Sequence, residues 1–188
     1  MIKNNSYLNE HANVLNKTNF DILDNIYLVI KKIINSKYKI LTCGNGGSAH
    51  TSEHMVTDWL KMTYIHTSHK LNISSLVSNI GMVSAYANDI NFDYIFSEQL
   101  MVLGNKNDIL FVISGSGNSE NIIQAAKKAK ELELKVISFV GFDGGRLKNL
   151  SDISFHVPSF DMQICEDIHL MAMHILMKKL CEIEMINQ

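Results

Sequence analysis

Two segments of the chain, DILFVIS at 108–114 and KVISFVG at 135–141, are apolar at nearly every position. A strand with one face in water alternates apolar and polar residues, whereas a strand buried on both faces of a parallel sheet does not. The two segments therefore predict central strands of a parallel sheet that is covered by helices on both sides.

Further apolar runs extend this pattern along the chain. Three runs predict strands, YKILTC (38–43), NISSLV (72–77) and ISFHVP (153–158), and helix-like segments lie around 50–62, 79–103, 119–132 and 161–184. Strands that alternate with helices are typical of a doubly wound α/β fold. The first 37 residues have apolar positions at helical spacing and predict one or two helices. We therefore expect a five-stranded, flavodoxin-like parallel sheet with an N-terminal helical extension, in a single domain spanning 1–188.

Several features of the composition argue against particular classes of function. They are the net charge, the length of the apolar runs and the spacing of the cysteines. The net charge is −2 and the lysines are scattered, which argues against nucleic acid as a ligand. No run approaches the roughly 18 apolar residues that indicate a membrane span. The three cysteines are widely spaced, and the N-terminal segment lacks the apolar core of a signal peptide. These features predict a cytoplasmic protein with reduced thiols.

Two loops that follow predicted strands resemble each other. The first is GNGGS (44–48), and the second is SGSGNS (114–119). Each provides glycines, hydroxyl groups and backbone amides at the start of a predicted helix, which suit an anion. Either loop alone could be a simple turn. Since ligands of parallel sheets bind at the carboxyl ends of the strands, the two together predict a site for a phosphorylated ligand.

The first loop also matches the dinucleotide-binding pattern G-x-G-x-x-A through GNGGSA. A dinucleotide site also requires an acidic residue at the end of the second strand, where it binds the ribose. Here that strand is followed by Val77, Ser78 and Asn79. We therefore expect no nucleotide cofactor and a compact phosphoryl group at the second loop.

His50, His54 and Asp58 recur at four-residue spacing just after the first loop. On a helix this spacing aligns the three side chains on one face. Such a row could bind a divalent metal, transfer protons, or be an ordinary solvated face.

A second set, Glu166, His169 and His174, lies in the apolar helical segment ICEDIHLMAMHIL. The apolar neighbours of His174, among them Met173 and Ile175, favour its neutral imidazole, which is the form that binds a metal or accepts a proton. A histidine that is only part of the core is the simpler interpretation. Glu166 and His174 are about 12 Å apart along a continuous helix. Both could bind one ion only if the helix began after Glu166 or if a second subunit contributed, which suggests an oligomer with sites at subunit borders.

Several motifs together resemble the bacterial phosphoheptose isomerases, which have the sugar isomerase (SIS) fold. They are CGNGGSA, SAYANDINFDYIFSEQL, ISGSGNSENI, GFDGGRL and VPSFDMQICEDIHLMAMHIL. The resemblance implies conversion of sedoheptulose 7-phosphate to D-glycero-D-manno-heptose 7-phosphate for lipopolysaccharide or another surface glycan. It also implies a zinc ion and a homotetramer, with residues 1–37 at the interface and active sites at subunit borders.

The same resemblance assigns residues to three roles. The substrate would contact Asn45, Gly46, Gly47, Ser48, Asn88, Asp89, Ser114, Gly115, Ser116, Ser119 and Glu166. Zinc would be bound by His54, Asp58, Glu166 and His174, and the catalytic groups would be Asp58, Glu166 and His174.

Three positions depart from the family pattern. Asp58 replaces a glutamate, Glu166 a glutamine and Gly115 a threonine. The two carboxylates leave open which one is the catalytic base, and His50 is either a fifth metal contact or uninvolved. A non-catalytic SIS module and an isomerase of another sugar phosphate are the alternative functions.

Overall fold

The structure, a computed structural model, describes residues 4–182. Its helices are α1 (Asn4–Lys17), α2 (Ile22–Lys31), α3 (Gly47–Thr67), α4 (Ile80–Asp89), α5 (Ser97–Leu103), α6 (Glu120–Glu131), α7 (Gly145–Leu150) and α8 (Met162–Leu180). Its strands are β1 (Ile40–Gly44), β2 (Ile73–Ser75), β3 (Ile109–Ser114), β4 (Lys135–Val140) and β5 (Ile153–His156).

The five strands form one parallel sheet in the order β2-β1-β3-β4-β5. The chain moves outward from β1 to the edge strand β2 and then crosses back to β3. The connections therefore diverge between β1 and β3, the position at which sheets of this order bind ligands. The predicted fold class is confirmed, and the two glycine-serine loops follow the two strands at this position.

Successive residues of β3 pack into two different cores. Ile109, Phe111 and Ile113 join a cluster with residues of α2, α3 and α8. Leu110 and Val112 join a second cluster with residues of α5, α6 and α7. Because both faces of the strand are buried, neither needs polar residues, which explains the unbroken apolar run.

The segment 79–103, predicted as one helical region, contains two helices and a 3₁₀ turn, Phe92–Tyr94. Asn91 interrupts the helix because its backbone is extended, with φ −173° and ψ 151°, and its side chain accepts a hydrogen bond from the Asp93 amide. Asparagine side chains compete with helical hydrogen bonds in this way. The short helix α7, which follows Gly144 at φ 94°, was not predicted either.

The N-terminal extension, predicted as one or two helices, consists of two helices. Helix α2 buries Leu23, Ile26 and Ile30 in the core. Helix α1 reaches α8 through a 2.5 Å hydrogen bond from the Tyr7 hydroxyl to the Asp167 carboxylate. That bond raises the pKa of Tyr7 to about 12. Residues 1–3 and the end of the segment predicted at 161–184 lie outside the described residues.

All three cysteines lie within the described chain as buried thiols that are not in disulfides. Within residues 4–182, no helix has the length and apolar character that a membrane crossing requires.

Candidate active site

The first loop connects β1 to α3, and its backbone at Gly44 lies close to the backbone of Ser48 and Ile113. A Cβ at Gly44 would lie 2.7 Å from the Ser48 backbone and 2.9 Å from the Ile113 carbonyl oxygen, so only glycine fits there. Gly46 precedes α3 at φ 53°, and no side chain caps the start of the helix. The first amides of α3 therefore lack helical partners and can bind an anion or a polar group.

The second loop connects β3 to α6 and places three hydroxyl groups near the helix N-terminus. Ser114 Oγ accepts a hydrogen bond from the Gly117 amide at 3.1 Å, and Ser116 Oγ accepts one from the Asn118 amide at 3.3 Å. Ser119 is the N-cap residue of α6, but its side chain makes no capping hydrogen bond. Ser116 and Ser119 are half-buried. The loop thus provides hydroxyl groups at the start of a 12-residue helix whose N-cap side chain makes no capping hydrogen bond.

The GFDGGRL segment supports the second loop from the β4 side. A Cβ at Gly117, whose φ is 63°, would lie 2.3 Å from the Gly144 carbonyl oxygen. Arg146 Nη2 donates to the Asn118 carbonyl at 2.9 Å and to the Glu120 carboxylate at 2.8 Å. The hydrogen bond from Arg146 lowers the pKa of Glu120. Arg146 therefore holds the loop and balances the charge of Glu120 at the start of α6.

Gly115, the departure from threonine in the second loop, is covered by Met162. A Cβ at position 115 would lie 2.2 Å from Met162 Sδ and 3.1 Å from its Cε. The thioether therefore occupies the space of a side chain at position 115. A threonine would fit only if Met162 changed its conformation.

A reciprocal amide pair joins the first loop to α6. Asn45 Nδ2 donates to Asn121 Oδ1 at 2.8 Å, and Asn121 Nδ2 donates to Asn45 Oδ1 at 2.9 Å. Asn45 was predicted as a site residue, whereas Asn121 was not. Nothing local indicates the pair, because the two residues are 76 positions apart.

His54, Asp58 and His174 form a cluster where α3 packs against α8. His54 Nε2 lies 3.3 Å and His174 Nε2 3.5 Å from Asp58 Oδ2. Each residue presents one ligand atom, and these atoms lie within 4.8 Å of one another. Next to the cluster, Trp59 Nε1 donates to the Met173 carbonyl at 3.3 Å and links the two helices.

Two nitrogen ligands and one carboxylate suit zinc, and three protein ligands leave a coordination position for water or substrate. The cluster is partly open, since the side chains of His54, Asp58 and His174 are 44%, 25% and 40% exposed. The residues present therefore fit the implied zinc ion and leave it accessible.

Glu166 lies apart from this cluster in the same chain. Helix α8 runs unbroken from Met162 to Leu180, so Glu166 and His174 remain about 12 Å apart along its axis. The Glu166 carboxylate packs on Gly47, where an added Cβ would lie 2.5 and 2.6 Å from its two oxygens. A carboxylate at the N-terminus of α3 interacts favourably with the helix dipole. Its roles as metal ligand, substrate contact and base remain predictions.

The histidine in a fully apolar setting is His169 rather than His174. His169 is 0% exposed and packs on Phe139 and Phe155, with ring centroids 5.7 and 6.5 Å apart. His174 was predicted in such a setting from its apolar neighbours, but its side chain is 40% exposed. Both lie in one apolar segment, and only the rotation of α8 against the sheet distinguishes them.

The stability of the protein should fall as the pH drops below 6.5, because His169 stays neutral in the folded chain and becomes protonated in the unfolded chain. Burial lowers the pKa of His169 from 6.5 to about 4. Between these values the unfolded chain binds a proton that the folded chain does not, so this contribution is complete above pH 6.5 and is lost as the pH falls through about 4. Thermal midpoints measured from pH 7 to pH 4 should decline less steeply for His169→Phe. Parallel curves would contradict the expectation.

The remaining predicted residues lie in the first turn of α3 and at the end of α4. Ser48 is buried in the first turn of α3. His50 Nδ1 lies 3.0 Å from the Gly46 carbonyl oxygen, and His50 is not part of the metal-type cluster. Asn88 and Asp89 are exposed at the end of α4, where the Asn88 amide donates to the Asp89 carboxylate at 2.8 Å. Within residues 4–182, no hydrogen bond or ion pair joins these two residues to either loop.

A cleft of about 320 Å³ opens beside the first loop. It is lined by loop residues, by His50 and Glu53 of α3, and by apolar side chains of α4 and the following segment. Its volume falls within the usual range for small-molecule sites.

The parallel sheet, with its two anion-type loops at the carboxyl ends of β1 and β3, has the arrangement that the resemblance to the SIS fold predicts. The family model described as SIS domain matches residues 5–141, and the chain belongs to that family.

Comparison with individual members of the SIS family shows which group within it the chain is similar to. A phosphoheptose isomerase of Helicobacter pylori is 42% identical over 151 residues, which are 80% of this chain and 78% of the relative. Solved structures of phosphoheptose isomerases from Francisella tularensis and Neisseria gonorrhoeae superpose with TM-scores of 0.88 and 0.87. Each is 28% identical, and each match covers 95% of this chain and 96% of the other. The chain is a member of the phosphoheptose isomerases.

Proposed function

We propose that the protein converts sedoheptulose 7-phosphate to D-glycero-D-manno-heptose 7-phosphate. The observation that carries the proposal is the cluster of His54, Asp58 and His174, which lies on the helix that follows the first glycine-serine loop and on α8. An isomerase of this type needs acid-base groups for one end of a sugar and an anion site for the other. The family membership supports the same reaction.

The reaction moves a proton between C1 and C2 of the sugar through an enediol. A carboxylate, Asp58 or Glu166, would take the proton from carbon. His174 would exchange protons with the oxygens when its ring nitrogen does not bind a metal. The second loop would bind the phosphate through three hydroxyl groups and one backbone amide, those of Ser114, Ser116, Ser119 and Gly115. Binding of the phosphate orients the substrate and takes no part in the proton transfer. Asn45, Gly46, Gly47 and Ser48 would position the reacting end.

Zinc, when bound by His54, Asp58 and His174, would supply Lewis acidity to the carbonyl oxygen of the substrate. Glu166 would be a further ligand only if another subunit provided it, because one α8 does not bring it to the cluster.

The direct test is incubation of the protein with sedoheptulose 7-phosphate while heptose 7-phosphate is followed by NMR. Formation of the product at an enzymatic rate supports the proposal. Turnover only of a different sugar phosphate would support the alternative isomerase. Binding of sugar phosphates without turnover would identify a non-catalytic module.

The double variant Ser116→Ala/Ser119→Ala should bind the substrate more weakly by about 1 to 3 kcal/mol, the loss of one or two hydrogen bonds to a charged group. Calorimetric titration with the substrate measures the change. Ser84→Ala is a matched control, because Ser84 is exposed and its hydroxyl donates to Gly81 in its own helix. Unchanged affinity in the double variant would remove the phosphate from the second loop.

We further propose a cytoplasmic homotetramer in which residues 1–37 contribute to the interface. Exposed apolar side chains on several helices support an assembly; they are Leu8, Leu28, Leu60, Tyr64, Ile65, Met101 and Val102. Leu60, Tyr64 and Ile65 line one groove on α3, and grouped exposed apolar side chains commonly mark an interaction site. Light scattering should give about four times the 21.2 kDa chain mass. A monomer at micromolar concentration would contradict both the tetramer and the sites at subunit borders.

A further inference from the structure

Asn121 is a buried polar residue of the site region to which the proposed mechanism gives no role. It is the second residue of α6, is 1% exposed, and lies beside the buried residues Ile122 and Ile123. A buried amide is costly unless it is hydrogen-bonded, so its partners show what its position requires. Those partners are Asn45 of the first loop and the amide of Ile122.

We propose that Asn121 is a positioning residue that fixes the Asn45 amide, and with it the first loop, relative to the phosphate-binding second loop. The inference rests on the proposed function, since it assigns Asn121 a role in aligning the same substrate. The pair joins the first loop to the first turn of α6, and α6 begins where the second loop ends.

The geometry of the pair leaves part of Asn45 available to a ligand. An asparagine side chain has two N–H donors and two lone pairs on its oxygen. Asn121 engages one donor and the oxygen of Asn45, at 2.8 and 2.9 Å. One donor and one lone pair remain, and the pair decides the direction in which they point.

Asn121 is itself held firmly enough to set that direction. Its Oδ1 accepts a hydrogen bond from the Ile122 amide at 2.9 Å, and the flanking isoleucines are buried in the core. Asn45 is only half-buried and lies in a loop. The buried partner therefore orients the half-buried one. A small misplacement of a substrate-binding group can lower the rate by about 10²-fold.

A purely structural role for Asn121 predicts different behaviour. If the side chain only satisfies a buried hydrogen bond, its removal lowers the thermal midpoint but leaves the kinetics of the folded enzyme unchanged. If it acts through Asn45, its removal alters kcat/KM only while Asn45 is present. A double-mutant cycle separates the two roles.

The experiment measures kcat/KM for sedoheptulose 7-phosphate and the thermal midpoint in four full-length proteins: the parent, Asn45→Ala, Asn121→Ala and the double variant. We expect each single variant to lose about 10-fold or more in kcat/KM. The double variant should lose about as much as Asn45→Ala alone, rather than the product of the single losses. A product of the two losses, or an unchanged Asn121→Ala, would overturn the inference.

Two further variants separate an effect on kcat/KM from poor folding or a loss of stability. Asn121→Asp keeps the size and the acceptor for the Ile122 amide but cannot donate to Asn45 Oδ1, so it should also lower kcat/KM even if Asn121→Ala folds poorly. Ser138→Ala removes a buried hydroxyl that contacts Ser154 and Ser151 away from the site, at 3.0 and 2.7 Å, and should change stability without changing kcat/KM. A parent protein with no activity on the substrate would refute the proposed function instead, since the cycle compares variants only against an active parent.

Discussion

His174→Ala should lower isomerase turnover by about 10²-fold or more, the usual loss when a positioned acid-base group is removed. The thermal midpoint should change little, because the side chain is 40% exposed and alanine is favourable in a helix. Turnover is followed by NMR and the midpoint by circular dichroism on the same sample. A variant that melts early but retains the parent rate would refute the catalytic assignment.

The matched control for this variant is His169→Ala in the same helix. His169 is 0% exposed, so its truncation should leave a cavity and lower the thermal midpoint. The folded fraction should still turn over substrate at nearly the parent rate, because His169 packs on core phenylalanines and not on the cluster. The two histidines should therefore show opposite patterns of activity and stability.

Asp58→Asn should also reduce turnover by about 10²-fold or more and should weaken zinc binding. Asp58 Oδ2 lies 3.3 and 3.5 Å from the two histidine nitrogens, so removal of its charge affects both neighbours. Competition with a chromophoric chelator measures the zinc affinity, and NMR measures the rate.

Two further variants serve as controls for Asp58→Asn. Asp58→Glu restores the residue that the family usually has and should keep much more of the activity than Asp58→Asn. Thr57→Ala changes an exposed neighbour whose hydroxyl donates to the Glu53 carbonyl, and it should leave the rate unchanged. Equal activity of Asp58→Asn and the parent would remove Asp58 from both the metal and the base assignments.

Features of the fold that depend on local periodicity could be predicted from the sequence. The apolar runs at 108–114 and 135–141 predicted central strands because burial on both faces removes the need for alternation. The alignment of His54 and Asp58 followed from their four-residue spacing on a helix. The break at Asn91 was not predicted, since it depends on which hydrogen bond a single side chain makes.

The composition of the candidate site depended on contacts between distant residues. The sequence by itself determined the strands, the two loops at their ends and the row on α3, because each is set by neighbours within a few residues. Only the tertiary structure decided that α8 turns His169 into the core and His174 toward Asp58. The same packing of α8 places Glu166 against Gly47. The tertiary structure also decided the pairing of Asn45 with Asn121, because the rotation and separation of packed elements depend on complementary shapes far apart in the chain.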